Sequence, residues 1–277
     1  MLVTGCAKPP KSQAILTTQS VGAGGAGVVP HQPMPAKLAD AAAEPGREAA
    51  TAPVSLAGRT LYVETIADLG RLRPGEIILT FDDGPHPAIT PRILAILKQY
   101  DVRATFFMVG NMARNHAETA LLVAEAGHTI GSHSHGHENF VTIGHAASVA
   151  SVAISEDEIA TALRPVGVKP APFFRFPYLA ETRALRADLT DVGFVVFDVD
   201  VDSLDYLDQS SDTVLARTLA RLDEKGRGIV LFHDIHARTA RLLPGFLDAL
   251  AARGYTVVRA VPKRPALFDM LTVAALR

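Results

Sequence analysis

From Glu76 onward, short runs rich in Val, Ile and Phe alternate with longer segments of helical period. That alternation restricts the chain to parallel βαβ units. Strands are expected at 77–81, 104–109, 128–131, 173–176, 194–199, 228–232 and 255–258. They are apolar nearly throughout, as strands covered on both faces must be. One helix opens at Thr90-Pro91, with Thr90 read as N-cap and Pro91 at the first helical position, and buries Ile93, Leu94, Ile96 and Leu97. Others are expected at 112–126, 146–163, 181–191, 212–224 and 239–253, several of them ending at Gly127, Gly193, Gly226 and Gly254, which suit a left-handed C-cap. About seven such units fit either a closed barrel or an open doubly wound sheet, and periodicity does not choose between them. Residues 263–277 fit a last short helix through Leu267, Met270, Leu271 and Val273, or a frayed end.

The first 59 residues read differently. Ala, Gly, Pro, Ser and Gln dominate from Ala7, and Pro30, Pro33, Pro35, Pro45 and Pro53 interrupt any regular element. Residues 1–59 are therefore expected to be a flexible tether and residues 60–277 the catalytic domain. Cys6 is the one cysteine, which excludes an intrachain disulfide. Val3-Thr4-Gly5-Cys6 resembles the lipobox of bacterial lipoproteins, but the basic and apolar regions of a signal peptide do not precede it. The expectation is that the natural start lies upstream and that Cys6 carries a lipid, tethering an exported protein in the cell envelope or periplasm. No apolar run reaches the roughly eighteen residues of a membrane helix. A net charge of −2, from 27 basic and 29 acidic residues, lacks the basic footprint of a nucleic-acid binder.

The polar residues that could do chemistry share one address. In parallel α/β folds the working groups sit where strands end and loops begin. Five strand candidates end in polar clusters: Asp82-Asp83-Gly84-Pro85, Ser132-His133-Ser134-His135-Gly136-His137, Arg175-Phe176-Pro177-Tyr178, Asp200-Val201-Asp202-Ser203-Leu204-Asp205-Tyr206 and His233-Asp234. Each has a plain explanation by itself: a solvated turn, an isolated imidazole, a buried ion pair, a helix cap, a surface salt link. Their coincidence on one rim does not. Two His separated by three residues reach one ion, and a carboxylate completes a two-His, one-carboxylate set with open positions.

With these residues in view, the sequence resembles the polysaccharide deacetylases of the NodB-homology type, carbohydrate esterase family 4, over about residues 75–262. Thr80-Phe81-Asp82-Asp83-Gly84-Pro85 matches the family's first motif, and His133 to His137 match its His-Ser/Thr-x-x-His. Arg175-Phe176-Pro177-Tyr178 matches Arg-x-Pro-Tyr. Asp202-Ser203-Leu204-Asp205-Tyr206 matches the fourth motif, with Tyr206 where the family usually has Trp. Leu231-Phe232-His233-Asp234 matches the fifth. The resemblance implies a distorted (β/α)7 barrel. It implies that Asp83, His133 and His137 bind a divalent metal, typically zinc, with cobalt, manganese or nickel as alternatives. It makes Asp82 the general base, held by Arg175, and His233 the general acid, paired with Asp205. The Tyr178 N–H would help stabilise the oxyanion, and Leu231 would line the acetyl-methyl pocket. Ser134 is expected to tie down the loop, with His128, His135 and His236 structural or at the rim. Tyr206 in place of Trp reshapes one wall of the cleft.

The implied activity is removal of N-acetyl or O-acetyl groups from a polysaccharide: peptidoglycan, a chitin-like or a xylan-like polymer. Three other functions start from the same residues. A non-haem iron oxygenase also uses two His and one carboxylate, usually on antiparallel scaffolds. A catalytically silent carbohydrate-binding relative would have lost the base or the acid. A metal-free hydrolase of cyclic amides would lack the complete Asp83–His133–His137 set.

Overall fold

A computed structural model describes residues 54–263. Residues 1–53 of the expected tether, with Cys6 among them, and residues 264–277 of the candidate C-terminal helix lie outside the described residues. In chain order, β1 (Ala57–Val63) and the single-turn α1 (Ile66–Leu69) come first. There follow β2 (Glu76–Asp82), α2 (Thr90–Gln99), β3 (Thr105–Met108), α3 (Gly110–Asn115), α4 (Ala117–Glu125), β4 (Thr129–Ser132) and α5 (His145–Leu163). The second half holds β5 (Phe173–Phe174), α6 (Arg183–Asp191), β6 (Val195–Val196), β7 (Val201–Asp202), α7 (Ser211–Lys225), β8 (Gly228–His233), α8 (Ala237–Ala252) and β9 (Thr256–Pro262).

Every ladder is parallel. The pairing β7-β8-β2-β3-β4-β5-β6 strings seven strands into the course of a barrel. Among the described residues no ladder joins β6 to β7, which is the seam that makes the barrel a distorted one. At the N-terminal end of β2, Glu76 and Ile77 pair instead with Thr256 and Val257 of β9, and β1 adds outside β9.

Side-chain alternation then sorts the residues. Period two sends Ile78, Phe107, Phe173, Phe197 and Ile229 to one buried cluster inside the ring. The intervening Leu79, Phe81, Phe106, Val230 and Phe232 pack outward with Ile93, Leu97, Leu243 and Phe246 of α2 and α8. The same alternation carries Thr80 and Asp82 inward above Ile78, and Leu231 and His233 inward above Ile229. Asp82 and His233 are register partners.

Four sequence expectations need correction. β1 begins at Ala57, inside the stretch assigned to the tether. The expected helix at 112–126 breaks at His116, whose φ of −128° and ψ of 46° end α3 and start α4. The cluster 200–206 does not hang from the strand at 194–199. That strand is only Val195–Val196, and the cluster itself contains the short β7, Val201–Asp202. Thr90 is not the N-cap of α2; Ile89 holds that place, and Thr90 is the first helical residue. The Thr90 hydroxyl accepts the His86 N–H at 2.8 Å and donates to Asp234 Oδ2 at 2.5 Å. The glycine caps stand as expected: Gly127, Gly193, Gly226 and Gly254 all have φ between 68° and 92°. Among the described residues, no helix is long and apolar enough to cross a membrane.

Candidate active site

Asp83, His133 and His137 meet just beyond the ends of β2 and β4, their ligand atoms all within 4.8 Å of one another. Asp83 Oδ1 lies 3.1 Å from Nε2 of His137 and 3.4 Å from Nε2 of His133. The His133 Nδ1–H donates to the Arg175 carbonyl at 2.8 Å, which turns Nε2 toward Asp83. Asp83 Oδ1 is buried with no hydrogen-bond donor aligned on it. Two imidazole nitrogens and a carboxylate oxygen thus converge on one point, an arrangement that a divalent cation satisfies. Burial pushes the Asp83 carboxyl up, but its contacts with His133 and His137, with charge from His133 and His233, outweigh it and hold it far below the usual carboxylate range. Asp83, Ser134 and His137 have φ of 76°, 71° and 59°, left-handed values that non-glycine residues adopt only where their surroundings enforce them.

One residue earlier the environment is different. Asp82 is buried, and its Oδ1 accepts from Arg175 Nη1 at 2.8 Å. Its Oδ2 lies 3.8 Å from His133 Nε2, so this second carboxylate borders the triad without closing on it. Arg175 is fully buried. It also donates to Thr80 Oγ1 at 2.7 Å and to the carbonyls of Phe197 and Asp198 at 3.4 Å, and its guanidinium lies 4.4 Å from the centre of the Phe107 ring. Removing one partner of a buried ion pair costs about 3–5 kcal/mol. Arg175→Met is therefore expected to lower the thermal midpoint by roughly 6–20 °C. Calorimetry checks this, and a midpoint within about 2 °C of the parent's would count against the pair as a structural element.

A second charged pair stands at the end of β8. His233 Nδ1 lies 2.6 Å from Asp205 Oδ1, while Asp205 Oδ2 accepts the His233 backbone N–H at 2.9 Å and the Thr239 hydroxyl at 2.5 Å. Burial alone would lower the His233 pKa. The hydrogen bond and charge of Asp205, with smaller contributions from Asp83 and Asp82, push it up to about 9. Burial opposes ionisation of Asp205 too, and its bonds to His233 and Thr239 still hold it below the ordinary range. The pair is an imidazolium locked to a carboxylate at neutral pH.

The remaining residues fall around this centre. Tyr178, with φ of 58° in the turn Pro177–Leu179, sets its exposed ring edge-on to His137 with centroids 4.5 Å apart. Tyr206, half exposed, stands edge-on to His233 at 5.5 Å. Leu231 is buried two residues before His233. His128 is structural: its Nδ1 accepts the Ala104 N–H, and burial depresses its pKa to about 3. His86 accepts the Ala88 and Ile89 amides at the start of α2. Sequence reasoning gave no role to Thr80, Thr239 or Phe107, and no spacing marks them. Asp234 also joins the structure behind the site, packed so close to Gly84 that a Cβ there would lie 2.2 Å from its carboxylate.

Comparisons with known proteins bear on the family to which the chain belongs. A family profile described as polysaccharide deacetylase matches residues 70–197. A chitin deacetylase of Colletotrichum lindemuthianum is 32% identical over 67% of this chain and 78% of its own length. A peptidoglycan-N-acetylglucosamine deacetylase of Bacillus cereus is 33% identical over 65% of this chain and 62% of its own. Among solved structures, a peptidoglycan deacetylase of Bdellovibrio bacteriovorus superposes with a TM-score of 0.68 and 34% identity, covering 82% of this chain and 64% of that one. The chain therefore spans under two thirds of the length of some relatives and over three quarters of another. With its barrel course, its strand-end triad and a relative at this identity and coverage, the chain belongs to the polysaccharide deacetylase family.

Proposed function

We propose that this chain is a metal-dependent hydrolase that removes N-acetyl groups from an amino-sugar polymer, with peptidoglycan the favoured polymer. The observation that carries this is the pairing of two oppositely used charges around one cation-competent triad: Asp82 held by Arg175, and His233 held by Asp205. Asp83, His133 and His137 would hold the metal, zinc before cobalt, manganese or nickel, since two imidazoles and a carboxylate suit a borderline-soft ion. When bound, the ion polarises the acetyl carbonyl and lowers the pKa of a water.

The rest of the work falls to the protein. Asp82 takes a proton from the attacking water as its oxygen bonds to the carbonyl carbon. The Tyr178 N–H donates to the developing oxyanion. His233 then gives its Nε2 proton to the departing nitrogen as the C–N bond breaks, leaving acetate and a free amine. Leu231, buried beside His233, shapes the space for the acetyl methyl. An ester leaving group needs less protonation, so O-acetyl groups are within the same chemistry. Retention of both Asp82 and His233 separates this chain from a silent carbohydrate-binding relative, and parallel α/β architecture separates it from the iron oxygenases.

Peptidoglycan is put first on the Bacillus cereus and Bdellovibrio bacteriovorus peptidoglycan deacetylases, with a chitin-like polymer next on the Colletotrichum lindemuthianum chitin deacetylase. The test is acetate release from peptidoglycan, chitin oligomers and acetylated xylan, before and after chelation and zinc or cobalt return. Release from peptidoglycan that vanishes on chelation and returns with metal is expected. Undiminished release from protein shown to be metal-free would overturn the metal, and release from chitin oligomers or xylan with none from peptidoglycan would overturn the polymer. We further propose an envelope location with a lipid on Cys6, supported by Val3-Thr4-Gly5-Cys6 and the tether composition behind it. Mass spectrometry of protein from its own host should find a diacylglyceryl-modified Cys6; a bare Cys6 with Met1 intact rules it out.

A further inference from the structure

Helix α5 is built against the ordinary rule for a helix packed in an α/β domain. Its buried positions include Ser148, Ser151, Ser155, Glu156 and Glu158, where an apolar stripe is expected. Buried polar groups persist where they are bonded to something. The segment Ser132 to His137, from the last residue of β4 through the metal loop, is what three of these residues reach. Ser155 Oγ lies 2.8 Å from Ser132 Oγ at the end of β4. Ser151 Oγ accepts the His135 N–H at 3.0 Å. Glu158 Oε2 lies 2.8 Å from His135 Nδ1, and its other oxygen meets Arg114 Nη1 at 2.5 Å.

His135 occupies a position that the pattern His-Ser/Thr-x-x-His leaves free. It lies between two residues, Ser134 and His137, held at left-handed φ. Such values are costly without a Gly and relax unless the surroundings over-determine them. Part of the restraint is backbone: the first amides of α3 donate to this loop, Gly110 N–H to the Ser134 carbonyl and Asn111 N–H to the His135 carbonyl, both at 2.9 Å. The side-chain part is the Ser151 hydroxyl on the His135 N–H and the His135–Glu158 contact. Gly110 makes room for it, since a Cβ there would lie 2.6 Å from Glu158 Oε2.

We infer that Glu158, acting through His135, is a positioning residue for His137 and thereby for metal retention, with Arg114 anchoring the far oxygen of Glu158. The inference rests on the proposed metal site. Glu158 touches neither metal nor substrate; it fixes the loop that presents the second imidazole. Outer-sphere supports of this kind change metal affinity by about 10–100-fold when removed.

The test measures zinc affinity by chelator competition and the visible absorption of the cobalt-loaded protein, neither of which requires turnover. Glu158→Ala and His135→Ala are each expected to weaken zinc binding about tenfold or more and to alter the cobalt bands. The double variant should be no weaker than either single one, because both remove the same contact. Glu158→Gln should restore most of the affinity, its amide oxygen still accepting from His135. Asp157→Ala, exposed on the same helix, serves as control and should bind as the parent does. Parent-like affinity in His135→Ala, or losses that multiply in the double variant, would overturn the inference. If Glu158→Ala does not fold, His135→Ala and Glu158→Gln still decide it. A parent protein with no affinity for zinc or cobalt would overturn the metal site, and this inference with it.

Discussion

Asp82→Asn is expected to slow acetate release by about 10²–10⁴-fold while zinc stays bound, and Asp83→Asn to lose zinc under the same conditions. Two adjacent carboxylates can differ this sharply because the backbone sends them to different neighbours. Asp82 ends β2 with its side chain inside the barrel, where Arg175 occupies one oxygen at 2.8 Å. Its other oxygen stands 3.8 Å from His133 Nε2, close enough to serve a water in the triad's open position, and Asp82 lies outside the set of three whose ligand atoms converge. Asp83 turns through a φ of 76° and lies 3.1 and 3.4 Å from the two imidazoles. Asn at position 82 keeps the shape and the Arg175 contact but accepts no proton at neutral pH. Asn at position 83 replaces a carboxylate ligand with a neutral one and weakens the whole set. Zinc content by elemental analysis, read beside the rate, separates the two. If both variants keep zinc equally and only Asp83→Asn is inactive, the roles are exchanged.

How much of this was legible in the sequence follows from what each feature is made of. β2 reads from sequence because Ile77 to Phe81 is an apolar run broken only by Thr80 and followed by two carboxylates, and both its faces are covered. The polar clusters at strand ends read because topology requires loops there, whatever the loops do. β7 does not read: two residues, Val201 and Asp202, sit among aspartates, and only pairing with β8 makes them a strand. β1 hides for a related reason. Its Gly58 lies so close to the Val257 carbonyl that a Cβ would be 2.8 Å away, a constraint set by β9 almost two hundred residues later. Thr90-Pro91 looks like a helix start and is one, yet the hydroxyl serves Asp234 and His86 rather than the helix. Local propensity describes the backbone there and misses the long-range partner. The same limit hid Thr239, which completes the Asp205 site from α8, and the Glu158 contact to the metal loop.

The His233–Asp205 pair yields the prediction with the clearest pH signature. A general acid has to be protonated when it acts, and an unperturbed His has a pKa of about 6.5. Asp205 pushes His233 up to about 9, so the acid form persists through neutral pH. Asp205→Asn removes that support and leaves burial, which lowers the pKa, unopposed at this contact. If the value falls to about 6.5, the protonated fraction at pH 8 drops from roughly 90% to roughly 3%, about thirtyfold, while at pH 6 it changes little. The variant should therefore lose most activity on the alkaline side, with its upper limb moved to lower pH. Stability carries the same sign: a folded-state pKa above the unfolded one contributes fully below about pH 6.5 and is lost as pH rises through about 9. The leaving group supplies the second discriminator. An amide nitrogen departs only when protonated, whereas an activated aryl acetate releases a stable phenolate. His233→Ala should slow amide cleavage by about 10²–10⁴-fold and cleavage of the aryl ester by less than about tenfold. Rates against pH for both variants, on an N-acetylated oligosaccharide and an aryl acetate, give the answer. An unmoved upper limb in Asp205→Asn, or equal losses on both substrates in His233→Ala, would remove His233 from the acid role.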